Sequence, residues 1–462
     1  MNHKRALIVA VVVIIVLAAA LVYVRSENAK LHPQMDESIG LTVGNVLDES
    51  GFPSQDSRLW VYGNANEDDR IDAEDIRYLS DVVAGKVEAT VLSDANCDGT
   101  IDEDDIAYVQ RMIDSDRMDV FYIDNYYTVA KVSWPVNSIA IGYCTGAYAA
   151  DLAGICDKVV MVDNTIRDYW YVMNDAFADA ESFGTTESPN YERMMRCEID
   201  VYVVGYCDQT ADPQSPEQLN PMGIDVMFIT TADNAGVEYP NEHIDRSLLM
   251  FAYLLQGDMD KVYSYLDWHD SVLGALSSAA ELIPADERES MIMARMSLLY
   301  SAGTISITGK DNTNNIHAEW VGVNAVGQHS DLLSKNYQDL TQEQLLTLIR
   351  DTVADSLVYY VDNEHGGIRN QYALEDCLAE DRQMLSSSVA DVVLLGMARE
   401  AGNSPLYVVE LAFYQNVMYP QLTEITGLDY RELFDYYFEN FSSEDYTSHV
   451  DIDDFFLVYG RA

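Results

Sequence analysis

Basic residues are what this chain has least of. It has eight lysines in 462 residues, and 27 lysines and arginines together against 77 aspartates and glutamates. The formal net charge of −50 creates a field that repels nucleic acid and anionic surfaces, which excludes a nucleic-acid partner and suits a salty or Ca²⁺-containing exterior. Cysteine is sparse too. Cys97, Cys144, Cys156, Cys197, Cys207 and Cys377 include no C-x-x-C pair, so zinc and dithiol redox motifs find no support, and disulfides and free thiols both stay open. No glycine-rich phosphate loop is present. Ser386–Ser388 lacks the Gly-x-Ser-x-Gly setting of a nucleophile. Carboxylates are too numerous for one pair to stand out as general acid and base. These absences lead to an expectation of a binding protein and no enzyme.

Charge is missing altogether from Ala6–Val24. At about 1.5 Å per residue that run spans a bilayer core of roughly 30 Å. His3, Lys4 and Arg5 precede it, which predicts an uncleaved signal anchor at 1–30 with everything after Arg25 outside the membrane. Leu21–Arg25 is a poor cleavage site, so removal of the segment is the lesser alternative. The expected location is the cell membrane, single-pass, with the bulk of the chain extracytoplasmic. A chain of this length exceeds what one core usually holds, so several domains are expected.

An acidic loop occurs twice, as Asn64–Asp75 and Asp94–Asp105. The second copy places Asp94, Asn96, Asp98, the Thr100 carbonyl, Asp102 and Asp105 at the spacing that wraps hard oxygen ligands round Ca²⁺, with Gly99 at the sharp turn and Ile101 turned inward. The first offers Asn64, Asn66, Asp68, the Arg70 carbonyl, Asp72 and Asp75, with Ile71 inward and Asp69 where glycine is usual. Each leads into an apolar-periodic helix (Ile76, Tyr78, Leu79, Val82; Ile106, Tyr108, Val109, Met112), without the helix that precedes a full EF-hand. The unit at 58–115 resembles a dockerin module. That resemblance implies structural Ca²⁺ and a cohesin-like partner. The residues that meet such a partner are here Ala73-Glu74 and Glu103-Asp104 rather than the usual Ser/Thr types, so a calcium-stiffened spacer is the alternative.

After about residue 118 strands alternate with helices. A short hairpin (Val120–Tyr122, Val129–Val132) precedes apolar runs at Ser138–Ile141, Val159–Val162, Val201–Val204 and Val226–Ile229. Such alternation predicts a parallel α/β sheet. One long amphipathic stretch from His243 to Leu282, interrupted at Gly257-Asp258, follows, with His243 and His269 expected at its surface. The α/β texture then resumes, with strands at Met293–Tyr300, Ile305–Thr308 and Leu357–Val361 and helices at Glu343–Asp355 and near 404–419 and 429–440.

Trp134–Gly142, Leu152-Ala153-Gly154, Asp157–Asp163, Ile199–Gly205, Leu219…Met222–Val226, Leu254–Gly257, Glu343–Leu346 and Tyr419–Leu422 together resemble, in order, the landmarks of extracytoplasmic solute-binding proteins for iron chelates and corrinoids. The resemblance spans about 118–445. It implies two parallel-sheet α/β lobes joined by a long helix, a metal chelate or corrinoid ligand, and an ABC permease as partner. The docking acid that importer-type members commonly carry in their first helix finds no match here, since Tyr143–Leu152 offers only Asp151; docking would use other surface acids, with Glu343 the second-lobe candidate. The resulting domain plan is 1–30 anchor, 58–115 dockerin-like module, 118–242 first lobe, 243–283 connecting helix and 284–462 second lobe.

Ligands in open α/β sheets bind beyond the carboxyl ends of the strands. That selects Tyr143, Cys144 and Thr145, then Asp163, Asn164, Arg167, Tyr169 and Trp170, then Tyr206, Asp208 and Thr231. In the second lobe it selects Trp320, Asn324, Asp362, Glu364 and His365. Arg167–Tyr171 stands out: a guanidinium grips anionic oxygens while Tyr and Trp faces stack on a flat chelate. The alternative is that these aromatics start a buried helix. The leading function is capture of an iron chelate, corrinoid or related metal-containing solute for an ABC importer. The runner-up is a cell-surface interaction protein assembling through its dockerin-like module.

Overall fold

The computed structural model describes residues 43–54, 56–169, 177, 179–205, 214–232, 244–295, 303–352, 357–362, 374–386, 391–398, 401–402, 404–442 and 451–461. Ala6–Val24 lies outside the described residues. Among those described, no helix is long and apolar enough to cross a membrane. The chain divides into two compact units, Met1–Trp134 with Pro213–Pro216, and Pro135–Asp212 with Glu217–Ala462.

In the first unit, α1 (Ala73–Val83) and α2 (Glu103–Ile113) follow the two acidic loops and start identically. The Asp72 and Asp102 side chains accept from the N–H of Glu74 and Asp104, while Asp75 and Asp105 reach back to accept from the cap N–H. Each reciprocal pair satisfies donors that a helix start leaves open. Leu79 and Val109 meet over Ala65 and Ala95, with Ile71 and Ile101 packed against them, so the inward isoleucines sit as the loop spacing requires. A hairpin of β1 (Asp119–Ile123) and β2 (Val129–Ser133) completes the unit. Its place there corrects the expected lobe boundary at 118. Tyr62 N–H donates to the Phe121 carbonyl and Ile123 N–H to that of Trp60, while Val129 N–H donates to the Asn45 carbonyl, so both hairpin edges are paired within the first unit.

The first lobe of the second unit is a parallel sheet in the order β5 (Glu181–Ser182), β4 (Val159–Val162), β3 (Ile139–Ile141), β8 (Val201–Gly205), β9 (Asp225–Thr230). The four expected strands are β3, β4, β8 and β9. The two-residue strands β6 (Gly184–Thr185) and β7 (Ser188–Pro189) form a separate antiparallel pair. Every residue of β3 and β8 is buried, as a sheet covered on both faces demands. Helix α3 (Thr145–Leu152) follows β3 and α4 (Asn164–Tyr169) follows β4; all eight residues of α3 are buried.

The single long connecting helix is two helices. α5 (Ile244–Leu254) ends where Gln256 takes a φ of 54°, and α6 (Met259–Ala280) restarts on the Asp258 cap, which accepts from Lys261 N–H. A Cβ on Gly257 would lie 2.7 Å from the Ala153 carbonyl oxygen, so the break brings backbone against the end of α3. His269 is a second correction. It is buried on α6, its Nε2 2.7 Å from the Tyr407 hydroxyl, because helix α10 (Tyr407–Met418) covers that face.

The second lobe has the sheet order β13 (Tyr337–Leu340), β11 (Ile305–Thr308), β10 (Ser290–Arg295), β14 (Leu357–Asp362), β15 (Asp391–Met397), β16 (Phe456–Arg461), with β12 (Asn324–Ala325) beside β10. It is mixed rather than all parallel. β10, β14 and β15 run together, while β11, β13 and β16 pair antiparallel. Its longer helices among the described residues are α7 (Thr313–Trp320), α8 (Gln342–Thr352), α9 (Leu374–Leu385), α10 and α11 (Tyr430–Phe441). Leu345, Leu348 and Ile349 of α8 and Leu378 and Leu385 of α9 pack with Ile292, Ile307, Val358, Tyr360 and Leu394, each buried aliphatic contributing about 1.5–3 kcal/mol.

Candidate functional site

In the first lobe the strand order reverses between β3 and β8: β4 and β5 lie on one side, β9 on the other. Such a reversal opens a crevice at the carboxyl ends of the strands. Here the backbones nearly touch. A Cβ on Gly205, whose φ is 80°, would sit 2.1 Å from the Gly142 carbonyl oxygen, so glycine is required there. Tyr143 follows at a φ of 65° and is half-buried. Its N–H donates to Asp163 Oδ2 at 3.1 Å, while Ile166 N–H donates to Asp163 Oδ1 at 2.8 Å. Asp163 is buried and serves to start α4 and hold the loop after β3.

The Thr145 and Thr231 hydroxyls lie 3.0 Å apart, and Thr231 also donates to the Gly205 carbonyl at 3.1 Å. Both are buried. The structure thus brings Tyr143, Thr145, Asp163 and Thr231 together at the strand ends, with Thr145, Asp163 and Thr231 engaged in holding the crevice floor. Arg167 is half-buried in α4. Tyr169 ends that helix; Trp170, Tyr206 and Asp208 lie outside the described residues.

At the matching edge of the second lobe stand Arg295, Asp362 and Met397, aligned through the Ala294–Asp362 and Asp362–Gly396 register. The Arg295 guanidinium lies 4.1 Å from the Tyr337 ring centroid, a cation–π distance. Arg295 was missed in the sequence because Met293–Tyr300 reads as one apolar run, and only pairing with β14 shows that β10 ends there. Two selections are corrected. Asn324 donates to Ser290 Oγ at 2.9 Å, at the amino end of β10, and Trp320 packs against His317 in the helix leading to it. A strand paired parallel to the start of β10 cannot reach its carboxyl end. Glu364 and His365 lie outside the described residues.

Asp151 has no free carboxylate at the surface of the first helix. It is buried, and its Oδ2 accepts from Ser442 Oγ at 2.8 Å. Glu343 is exposed in the first turn of α8.

In the tandem loops the two copies share backbone shape. Glu67 and Cys97 have φ of 58° and 54°, and Asp69 and Gly99 have 68° and 87°. Asp69 tolerates the left-handed conformation and uses its side chain, accepting from Leu59 N–H at 2.9 Å and Arg58 Nε at 3.0 Å, which explains an acid in the glycine position. Asp94 accepts from the N–H of Asp98 and Gly99. Asn64 is fully buried; its Nδ2 donates to the Leu59 carbonyl, and its Oδ1 has no partner among the described residues. Burial pushes the Asp75 carboxyl up to about 7 and raises Asp94 and Asp105 as well; a cation among these oxygens acts in the opposite direction. Among the described residues no group of three or more His, Cys, Asp and Glu side chains forms a ready metal cage. Half of the first loop's set and a third of the second's, however, is amide or backbone oxygen, which suits a hard cation alongside the carboxylates. Cys97 and Cys197 are free thiols, and Cys156 Sγ lies 4.0 Å from Asp151 Oδ1.

No protein-family model matches the chain and no curated protein matches it in sequence. Solved structures do match in fold. The TroA-like periplasmic binding protein FepB from Veillonella parvula is 10% identical, superposes with a TM-score of 0.54, and the match covers 73% of this chain and 99% of that one. The molybdate periplasmic binding protein MolA of an ABC transporter from Haemophilus influenzae is 13% identical with a TM-score of 0.54, over 70% of this chain and 99% of the other. Helicobacter pylori CeuE with Ni(II) bound is 13% identical with a TM-score of 0.50, over 73% and 98%. This chain shares their α/β fold.

Proposed function

We propose that the second unit is an extracytoplasmic solute-binding protein that captures an iron chelate, a corrinoid or a related metal-containing solute for an ABC importer. The observation that carries this reading is the pair of α/β lobes, with a strand-order reversal in the first and parallel strand ends in the second. Their fold companions MolA and CeuE bear molybdate and Ni(II). Tyr143, Arg167, Tyr169, Trp170 and Tyr206 would line the first-lobe wall, with Arg295 opposite. Thr145, Asp163 and Thr231 hold the loops that present them. Two guanidinium groups suit a ligand with anionic oxygens. The tandem loops would hold structural Ca²⁺ through Asn64, Asn66, Asp68, the Arg70 carbonyl, Asp72 and Asp75, and through Asp94, Asn96, Asp98, the Thr100 carbonyl, Asp102 and Asp105. The orphaned, buried Asn64 oxygen supports this. Residues 1–30 would tether the protein to the membrane.

A second reading draws on Asp151, whose carboxylate is buried and bonded rather than presented on the first helix. In that reading the chain is a surface interaction protein assembling through the tandem module with a cohesin-like partner, without import.

Mass spectrometry of small molecules retained by the natively purified protein should find a metal-containing solute. Calorimetry with ferric chelates, corrinoids and molybdate should give saturable heat with at least one. Arg167→Ala should weaken that binding by about 1.5–3 kcal/mol, the scale of a lost hydrogen bond to a charged group, or roughly ten- to more than a hundredfold in Kd. No retained solute together with no heat from any probe sinks the reading.

A further inference from the structure

Tyr143 stands in a backbone conformation that its side chain disfavours. Its φ of 65° lies in the left-handed region, which glycine, asparagine and aspartate visit readily and a bulky aromatic residue does not. Among the described residues of the first lobe only Glu198 is also non-glycine with a positive φ. Glu198 follows the Cys197 cap of the Tyr191–Arg196 helix, where a left-handed residue closes a helix. Tyr143 closes no helix. It lies between β3 and α3, at the carboxyl end of the sheet.

Its surroundings hold it there. Gly142 N–H donates to the Val203 carbonyl at 2.8 Å, and a Cβ on Gly142 would lie 2.6 Å from both the Val204 carbonyl oxygen and Thr186 Cγ2. Thr186, in the turn of the β6–β7 hairpin, is buried. Asp163 brackets the same turn of chain. Its N–H donates to the Ile141 carbonyl at 3.1 Å, and its Oδ2 accepts from Tyr143 N–H at 3.1 Å. Three segments far apart in sequence thus converge on the two residues after β3.

The strain fixes a direction. A Cβ on Gly205 would lie 3.2 Å from Tyr143 Cβ, so the Tyr143 side chain starts directly over the gap between β3 and β8, where the strand order reverses. An extended residue at this point would send its side chain to a face of the sheet instead.

We propose that Tyr143 is the preset solute contact of the first lobe and that Asp163 is the positioning residue that holds its strained backbone. This rests on the solute-binding reading and adds a fixed point to it. The fold bears the strain in advance, so binding does not have to order this side chain.

The test uses the full chain, with ferric citrate, hydroxocobalamin and molybdate as probes. Glycine relieves a left-handed backbone and alanine does not. Tyr143→Gly should therefore melt at least about 2 °C above Tyr143→Ala, whereas at a negative φ the order is the reverse. Asp163→Asn should cost the native chain about 2 °C more than it costs Tyr143→Gly, because glycine holds that φ without restraint. The lost bond to Ile166 N–H is common to both backgrounds and cancels. If Asp163→Asn does not fold, the glycine–alanine comparison decides alone. Whichever probe the native chain binds should bind Tyr143→Gly about tenfold more weakly or worse. Alanine melting as high as glycine, or an equal loss from Asp163→Asn in both backgrounds, overturns the proposal. So does unchanged affinity in folded Tyr143→Gly. A native chain that binds none of the probes overturns the solute-binding reading, and the contact with it, while the melts still decide whether Asp163 holds a strained Tyr143.

Discussion

Glu410 shows what a single buried side chain does to the whole second lobe. It lies on α10 with Oε1 accepting from the Tyr414 hydroxyl at 2.7 Å, while Oε2 has no partner among the described residues. Burial pushes its carboxyl up from 4.5 to about 7. A carboxyl raised in the folded state binds a proton that the unfolded chain has already released. Between about 4.5 and 7 the folded protein therefore holds more protons, and stability falls as pH rises through that window. The full swing is on the order of 3–4 kcal/mol at about 1.4 kcal/mol per pH unit. Glu410→Gln keeps an acceptor for Tyr414 and removes the titration. Thermal melts of native protein and variant should nearly coincide at pH 5, with the variant melting progressively higher towards pH 8. A constant gap across that range would assign the proton to another group. In the first unit, burial likewise pushes Asp124, which accepts from Tyr126 and Thr128 N–H in the β1–β2 turn, up to about 7.

Among the elements, the tandem loops and their helices are the most autonomous. Their shared core is small, so a bound ion that recognises only the folded form should supply much of their order. Chelation should lower the first unit's melting temperature, and Asp94→Ala should abolish most of that response. Asn64→Ala should remove less of it, since the first loop has the weaker ligand set. It should also cost about 1–3 kcal/mol without calcium, because it strips the donor from a buried carbonyl. A first unit whose melt ignores chelator in all three proteins would leave the loops as structural turns. These loops were legible in the sequence because their caps, positive-φ positions and inward isoleucines depend on neighbours within twelve residues of the same segment. The strands β3, β4, β8 and β9 were legible for the same reason, as unbroken apolar runs. The β1–β2 hairpin was seen but assigned to the wrong body. Hairpins carry their own register, whereas the segments that pair with their outer edges come from elsewhere in the chain.

For the whole molecule, the net charge of −50 and the uncharged Ala6–Val24 run set the expected habitat. The protein should stay with membranes through a high-salt wash and be shaved from intact cells by protease. A soluble mature form beginning near Ser26 would show a cleaved signal instead. Charge balance, the duplicated loops, the alternation of strand and helix and the absence of hydrolase or phosphate-loop motifs were determined by the sequence alone. Each is either a sum over residues or a pattern within a few turns of chain. Only the tertiary structure decided which side chains the candidate cleft can use. Thr145 meets Thr231 across 86 residues and Tyr265 reaches Pro405 across 140. Such contacts made Asp151, the lone acid of the first helix, a buried and bonded one, turned an expected surface histidine, His269, into an interior one, and placed an unremarked Arg295 at the end of a strand. A local pattern specifies that a residue lies on a helix or strand. Which face is buried, and whether a polar atom there finds a partner, depends on what the rest of the chain packs against it.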